Sequence, residues 1–288
     1  MKFISYIHDG KNAVGILTDD EKSVIPAKSL GYKADDMNAL IDELGGTLPA
    51  VNDAQKISVE DITLEAAIIE PKQDVICLGL NYRDHVAEAT KADAAYDVQR
   101  GEAVYFAKRV NRAVAPGADI DSNSAICTQL DYEVELAVII GKDAKNVKAA
   151  DVGEYIFGYT ILNDVSARNL QTKHKQWYFG KSLDGFTPIG PCIVTEDELG
   201  PSPVLGIRCY VNGELRQNSS TGCMIFDIPY IIEELSSGMT LKAGTVIATG
   251  TPSGVALGMP PETQVYLKKG DVVRCEIDRI GVLENRIG

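Results

Sequence analysis

The stretch Asp131-Tyr132-Glu133-Val134-Glu135 sets three carboxylates at alternate positions and runs straight into Leu136-Ala137-Val138-Ile139-Ile140 before Gly141 ends it. This pattern predicts a strand over 132–140, and on a strand residues i and i+2 share a face. Asp131, Glu133 and Glu135 therefore project together, and like charges side by side on one face repel. Two arrangements relieve that repulsion. Either the face opens to water at the start of a strand, or a hard divalent cation with oxygen ligands lies among the carboxylates. Taken alone, the segment reads more readily as the exposed face.

The rest of the chain is punctuated by Gly and Pro and is rich in strands. Beyond the acidic strand, further strands are predicted over 75–78, 155–162, 204–211, 246–248 and 272–277. Helices are few, over 84–89, 166–172 and 228–236. Residues 1–65 read as a small β-rich N-terminal domain, with strands over 3–7, 13–18 and 23–26 and a helix over 35–43 ended by Gly45-Gly46. A polar stretch, 52–56, leads towards the main domain at 66–288. There is no internal repeat and no Gly-x-Gly-x-x-Gly opening a helix, so a dinucleotide cofactor has no support. The fold class is a β-rich α+β.

Forty-one acidic against 28 basic residues leave a formal charge of −13. That balance argues against nucleic acid and against anionic membrane surfaces, both of which draw on Lys and Arg. No apolar run approaches the roughly 20 residues needed to cross a bilayer, and the opening MKFISYIHDG breaks before a signal-peptide core forms. A cytoplasmic protein is expected. Six scattered cysteines without a CxxC read as reduced, mostly buried thiols. His8, His85 and His174 lie near no second His or Cys, so any bound metal must be held by oxygen.

Two further groups of residues could carry chemistry. In Asn163-Asp164-Val165-Ser166-Ala167-Arg168-Asn169-Leu170-Gln171, a helix from 166 would place Asp164, Arg168 and Gln171 on one face. One acceptor beside two donors suits a cation with an anionic ligand; an Asp N-cap with a surface ion pair is the plainer alternative. In Gly79-Leu80-Asn81-Tyr82-Arg83-Asp84-His85-Val86-Ala87-Glu88, a helical turn brings His85 and Glu88 together. A carboxylate that fixes the imidazole tautomer makes the other ring nitrogen a base able to take a proton from water; a half-exposed His with an incidental neighbour is the commoner case. Lys181 and Thr251 lie in Gly-rich loops whose amides and hydroxyls could meet an oxyanion, or form ordinary turns.

In this order, the segments GLNYRDHVAE (79–88), DYEVELAVIIG (131–141), GYTILNDVSARNLQ (158–171), GKSLDGFTPIGP (180–191), FDI...LSSGMTL (226–241) and GTVIATGTPSGV (244–255) resemble the fumarylacetoacetate hydrolase family over roughly 75–285. The resemblance implies a mixed β-roll core, usually a homodimer, with a small N-terminal domain. It implies a Mg²⁺ site, or one for Mn²⁺ or Ca²⁺, at Glu133, Glu135 and Asp164, and a water-activating dyad at His85 and Glu88. Lys181, Arg168, Gln171, Thr251 and Tyr82 match positions at the substrate. The founding members carry an extra metal-binding Asp upstream of the dyad His, where this chain reads Gly79-Leu80-Asn81-Tyr82. The stretch 108–112 is unusually basic, and Arg109 or Arg112 either meets a second anionic group on the substrate or lies on the surface.

The implied activity is cleavage of the C–C bond of a 2,4-dioxo acid, such as an acylpyruvate or fumarylpyruvate, through a pyruvate enolate held at the cation. Loss of CO₂ from oxaloacetate, or a keto–enol isomerisation, would use the same site. In each case the partner is a small anionic 2-oxo acid. A catalytically silent binding or scaffold protein is the reading from another class, and the His85/Glu88 pair with a full carboxylate set speaks against it.

Overall fold

The computed structural model describes residues 1–51, 54–85, 102–260 and 262–288. The N-terminal part supplies β1 (Lys2–His8), β2 (Lys11–Leu17), β3 (Ser23–Pro26), β4 (Ile57–Ser58) and β5 (Thr63–Leu64). There follow β6 (Val75–Gly79), β7 (Val104–Lys108), β8 (Asp119–Ile120), β9 (Leu130–Asp131) and β10 (Val134–Ile140). Then come β11 (Ile156–Asn163), β12 (Ser166–Ala167), β13 (Ile189–Thr195) and β14 (Gly206–Val211). Last are β15 (Glu214–Ser220), β16 (Val246–Ala248), β17 (Val272–Ile277) and β18 (Gly281–Ile287).

Among the described residues these strands form one eleven-stranded sheet, in the order β4-β3-β2-β1-β13-β11-β10-β16-β6-β7 with β5 beside β1. A second, five-stranded sheet runs β15-β14-β17-β18-β8. Both are mixed: β16 pairs β6, and β18 pairs β8, in parallel. Every residue of β10 and of β11 is buried, as strands covered on both faces require. Gly158 in β11 has a steric reason: a Cβ there would lie 2.3 Å from the carbonyl oxygen of Val194 on β13.

Helices are short, and two of them are capped at the start by an aspartate. In α1 (Met37–Leu44) the Asp36 carboxylate accepts from the Ala39 amide, and Gly45 closes the helix at φ 56°. Met37, Leu40, Ile41 and Leu44 face the core at i, i+3, i+4 and i+7. Two short helices, α2 (Arg168–Lys173) and α3 (Tyr178–Lys181), carry cationic side chains inward, and α4 (Glu196–Leu199) is a single turn. In α5 (Ile228–Gly238), Asp227 caps the Tyr230 amide and Ile228, Ile231, Ile232 and Leu235 are buried.

Several sequence expectations need adjusting. The strands of residues 1–65 join the large sheet. Its strand β1 pairs with β13, Phe3 opposite Ile193, and Phe3 packs on Phe157 with ring centroids 5.0 Å apart. The acidic strand is broken: β9 ends at Asp131 and β10 begins at Val134. Ser166 and Ala167 are extended rather than helical, so α2 starts two residues later than expected. Of the helix over 84–89 only its first two residues are described, and both are helical. Strands β7, β13, β15 and β18 were not foreseen. β15 is polar throughout except Leu215, and β13 contains Gly190 and Pro191, so neither shows the expected apolar alternation.

Asn81 ties the turn after β6 to two other elements. Its amide nitrogen donates to the Phe226 carbonyl at 3.0 Å and the Thr249 carbonyl at 2.8 Å, and its oxygen accepts from the Phe226 amide at 2.9 Å. The side chain is fully buried. Asn81→Ala strips three backbone groups of a partner and should lower stability by about 1–3 kcal/mol or more, read as a reduced urea midpoint. An unchanged midpoint would show that water replaces the amide at no cost.

Candidate active site

The antiparallel pairing of β10 with β11 sets Val134 opposite Asn163. Glu133 and Glu135 flank that register, and Asp164 follows it; the Asp164 amide donates to the Glu133 carbonyl at 2.8 Å. Each of the three carboxylates offers one oxygen, and these oxygens all lie within 4.8 Å of one another. All three side chains are buried. The set is wholly of oxygen, which is what a hard divalent cation takes.

Fixed cations surround the trio. Lys181, at the end of α3, places its Nζ 2.7 Å from Glu133 Oε2 and 2.7 Å from Asp164 Oδ2. Lys108, at the end of β7, spends its three donors on Asp164 Oδ1 at 2.6 Å and on the Phe186 and Val165 carbonyls at 2.7 and 3.1 Å. Arg168, the first residue of α2, reaches Glu133 Oε1 at 2.6 Å, Asp131 Oδ2 at 2.8 Å and Gln171 Oε1 at 3.0 Å. Glu135 makes no ion pair among the described residues and accepts from the Gly250 amide at 2.7 Å. Gly250 adopts φ 95°, a left-handed conformation that suits glycine and turns its N–H inward.

Electrostatics separate the carboxylates. Burial alone would raise the Glu133 pKa, but Lys181, Arg168 and His85 outweigh it and hold the group at about 2. Glu135 is driven far the other way, first by burial and then by its neighbours Asp164 and Glu133. Burial also lowers Lys108, against the pull of Asp164. Asp131, Glu133, Glu135 and Asp164 thus lie with Lys108, Arg168 and Lys181, four buried acidic groups against three basic ones. Glu135 is the acid left over, and a cation bound beside it would favour its ionised form.

A cavity opens onto this cluster. His85, Arg168, Gln171, Lys181 and Thr251 line it together with Glu133 and Glu135, and Leu78, Gly79, Leu80, Phe106, Trp177 and Leu257 form the rest of its wall. The structure therefore gathers most of the residues picked from sequence. Thr251 is there, although its hydroxyl is engaged, donating to the Val134 carbonyl at 2.9 Å and accepting from Gln217 at 2.8 Å. Glu88 lies outside the described residues.

Other placements differ. Tyr82 is fully buried in the core, bridges to Met224 and does not line the cavity. Arg109 and Arg112 are not in the wall either; they pair with Asp74 at 2.6 Å and Glu65 at 3.0 Å near the surface. Asp131 does not join the trio. It holds Arg168 and caps the Ala256 and Leu257 amides at 2.9 and 3.0 Å. Asp164 pairs with the two lysines rather than with Arg168, because the helix begins after it. Lys108 and Gln217 also support the site, and nothing in their sequence neighbourhood announces that they are buried.

The mixed-sheet, β-rich fold and a buried acidic cluster at the floor of a cavity define an enzyme class able to hold a divalent cation. The profile described as Fumarylacetoacetate (FAA) hydrolase C-terminal matches residues 74–288, and the chain belongs to that family. It is 41% identical over 273 residues to a Bacillus subtilis protein named oxaloacetate tautomerase YisK, covering 94% of this chain and 85% of the relative. Among solved structures, a fumarylacetoacetate hydrolase from Exiguobacterium antarcticum matches 100% of this chain and 99% of its own, with TM-score 0.86 and 39% identity. A 5-carboxymethyl-2-hydroxymuconate delta-isomerase from Mycobacterium smegmatis matches over 100% and 99%, with TM-score 0.76 and 30% identity.

Two substitutions test the cation site. Glu135→Gln removes one of the three candidate ligands and should abolish or strongly weaken Mg²⁺ binding in calorimetry. Lys108→Met, which frees Asp164 from its anchor, should weaken it by about 10–100-fold. Unchanged affinity in both would refute the assignment.

Proposed function

We propose that this protein is a divalent-cation-dependent tautomerase that interconverts the enol and keto forms of a small 2-oxo acid of the oxaloacetate type. One observation carries this reading: a single cavity is lined by Glu133, Glu135, Arg168, Lys181 and His85, with Asp164 grouped with the two glutamates behind its wall. The name of the Bacillus subtilis relative supports tautomerisation over the C–C hydrolysis that the family resemblance first suggests.

Glu133, Glu135 and Asp164 would hold Mg²⁺, Mn²⁺ or Ca²⁺, and when bound it supplies Lewis acidity towards the oxygens of the substrate. Arg168 and Lys181 add fixed positive charge for the carboxylate and the 2-oxo group, in a site where burial strengthens each interaction. Gln171 is held by the Arg168 guanidinium and keeps its amide nitrogen as a donor towards the same end. The reaction needs only that one proton leave the enol hydroxyl and one be added at C3. His85 is placed to exchange it, since an imidazole can take and return a proton within a turnover.

The test follows oxaloacetate enol by its ultraviolet absorbance in the presence of Mg²⁺. The protein should accelerate loss of the enol, and His85→Gln should slow that by about 100-fold or more. No acceleration over Mg²⁺ alone would refute the reading. Faster cleavage of an acylpyruvate than tautomerisation of oxaloacetate would restore the hydrolase.

A further inference from the structure

The polar half of the cavity serves any 2-oxo acid, so the choice among such acids must be made elsewhere in its wall. Three residues there touch one another. Trp177 is seated on Gly79 so closely that a Cβ at position 79 would lie 2.2 Å from its Cζ3 and 2.6 Å from its Cη2. Real side chains do not approach to that distance, so only glycine admits the indole. Phe106 meets Trp177 edge-on, with ring centroids 5.1 Å apart and planes at 76°. On the inner side, the Phe106 ring lies 5.5 Å from Lys181 Nζ.

One helical turn links this wall to the charged end. The Lys181 amide donates to the Trp177 carbonyl at 3.1 Å, so the residue that anchors the carboxylates and the residue that closes the distal wall belong to the same turn of α3. Their separation is therefore fixed by backbone rather than by flexible side chains. Each carbon added to an extended acid lengthens it by about 1.3 Å, and the chain grows away from Lys181. A second carboxylate carried beyond the reach of Lys181 and against the Trp177 ring would lose hydration for little return. In a four-carbon diacid both carboxylates stay within reach of the cationic end.

We propose that Trp177, backed by Gly79 and edged by Phe106, is the length stop that restricts this site to short 2-oxo acids and excludes longer 2-oxo diacids. The proposal rests on the tautomerase reading for its substrate class and adds the feature that selects within it.

The experiment is a binding ladder. Mg²⁺-loaded wild type, Trp177→Ala and Trp177→Phe are titrated calorimetrically with pyruvate, oxaloacetate, 2-oxoglutarate and 2-oxoadipate, and wild-type tautomerisation of oxaloacetate is measured alongside. In the wild type, Kd should rise at least tenfold from oxaloacetate to 2-oxoadipate. Trp177→Ala should erase most of that rise and Trp177→Phe part of it, while Mg²⁺ affinity stays as in the wild type. Equal binding of all four acids by the wild type overturns the proposal. So does a uniform loss across the ladder in both variants, which would mark Trp177 as a packing residue, and so does failure of all four acids to bind. If the alanine variant does not fold, the phenylalanine variant decides. A ladder that holds without turnover of oxaloacetate keeps the stop and refutes the tautomerase.

Discussion

Four buried acidic groups set against three basic ones form the interaction on which the remaining structure depends. Removing ionised groups from water costs several kcal/mol each unless partners are close and hydrogen bonds complete. Here the partners come from widely separated parts of the chain: Lys108 from β7, Asp131 and Glu133 from around β10, Asp164 after β11, Arg168 and Lys181 from α2 and α3. Each pairing demands that its two elements be in register, so the cluster checks the assembly of the sheet. Asn163 and Gln217 extend this by binding the Glu133 and Val134 amides at 3.0 and 3.1 Å, which fixes the short non-ladder segment where the carboxylates turn inward.

That segment also explains how far the sequence could be read. The alternation puts Glu133 and Glu135 on one face, but only the pairing of β10 with β11 brings both beside Asp164, which no local pattern announces. It misplaced Asp131, because the ladder stops at Tyr132 and Glu133 and the side-chain alternation no longer applies across the gap. Strands with clear apolar content, such as 246–248 and 272–277, were legible to the residue. Polar β15 was not, although its Gln217 is fully buried and supports the site.

Lys108 shows a different limit. A lysine between an apolar strand and two arginines reads as one of a solvated basic group, and Arg109 and Arg112 do face outward. Strand geometry alone turns Lys108 inward, where Asp164 and two carbonyls receive it. Burial is a property of the assembled sheet, and no local pattern carries it. Tyr82 is the converse: the motif around it belongs to the site, while its own ring serves the core.

The pairing of β1 with β13 brings Lys2 opposite Val194, and that of β8 with β18 brings Asp119 opposite Arg286. Contacts of such sequence separation make loop closure the slow part of folding. On a ribosome, β1 has to wait for some 190 further residues before β13 covers its edge at Lys2 and Phe3. Until then it pairs with β2 through its hairpin, whose seven-residue register is local and complete in itself, and with β5 at Tyr6 and Ile7. The hairpin therefore shields a β-edge during synthesis as well as extending the finished sheet.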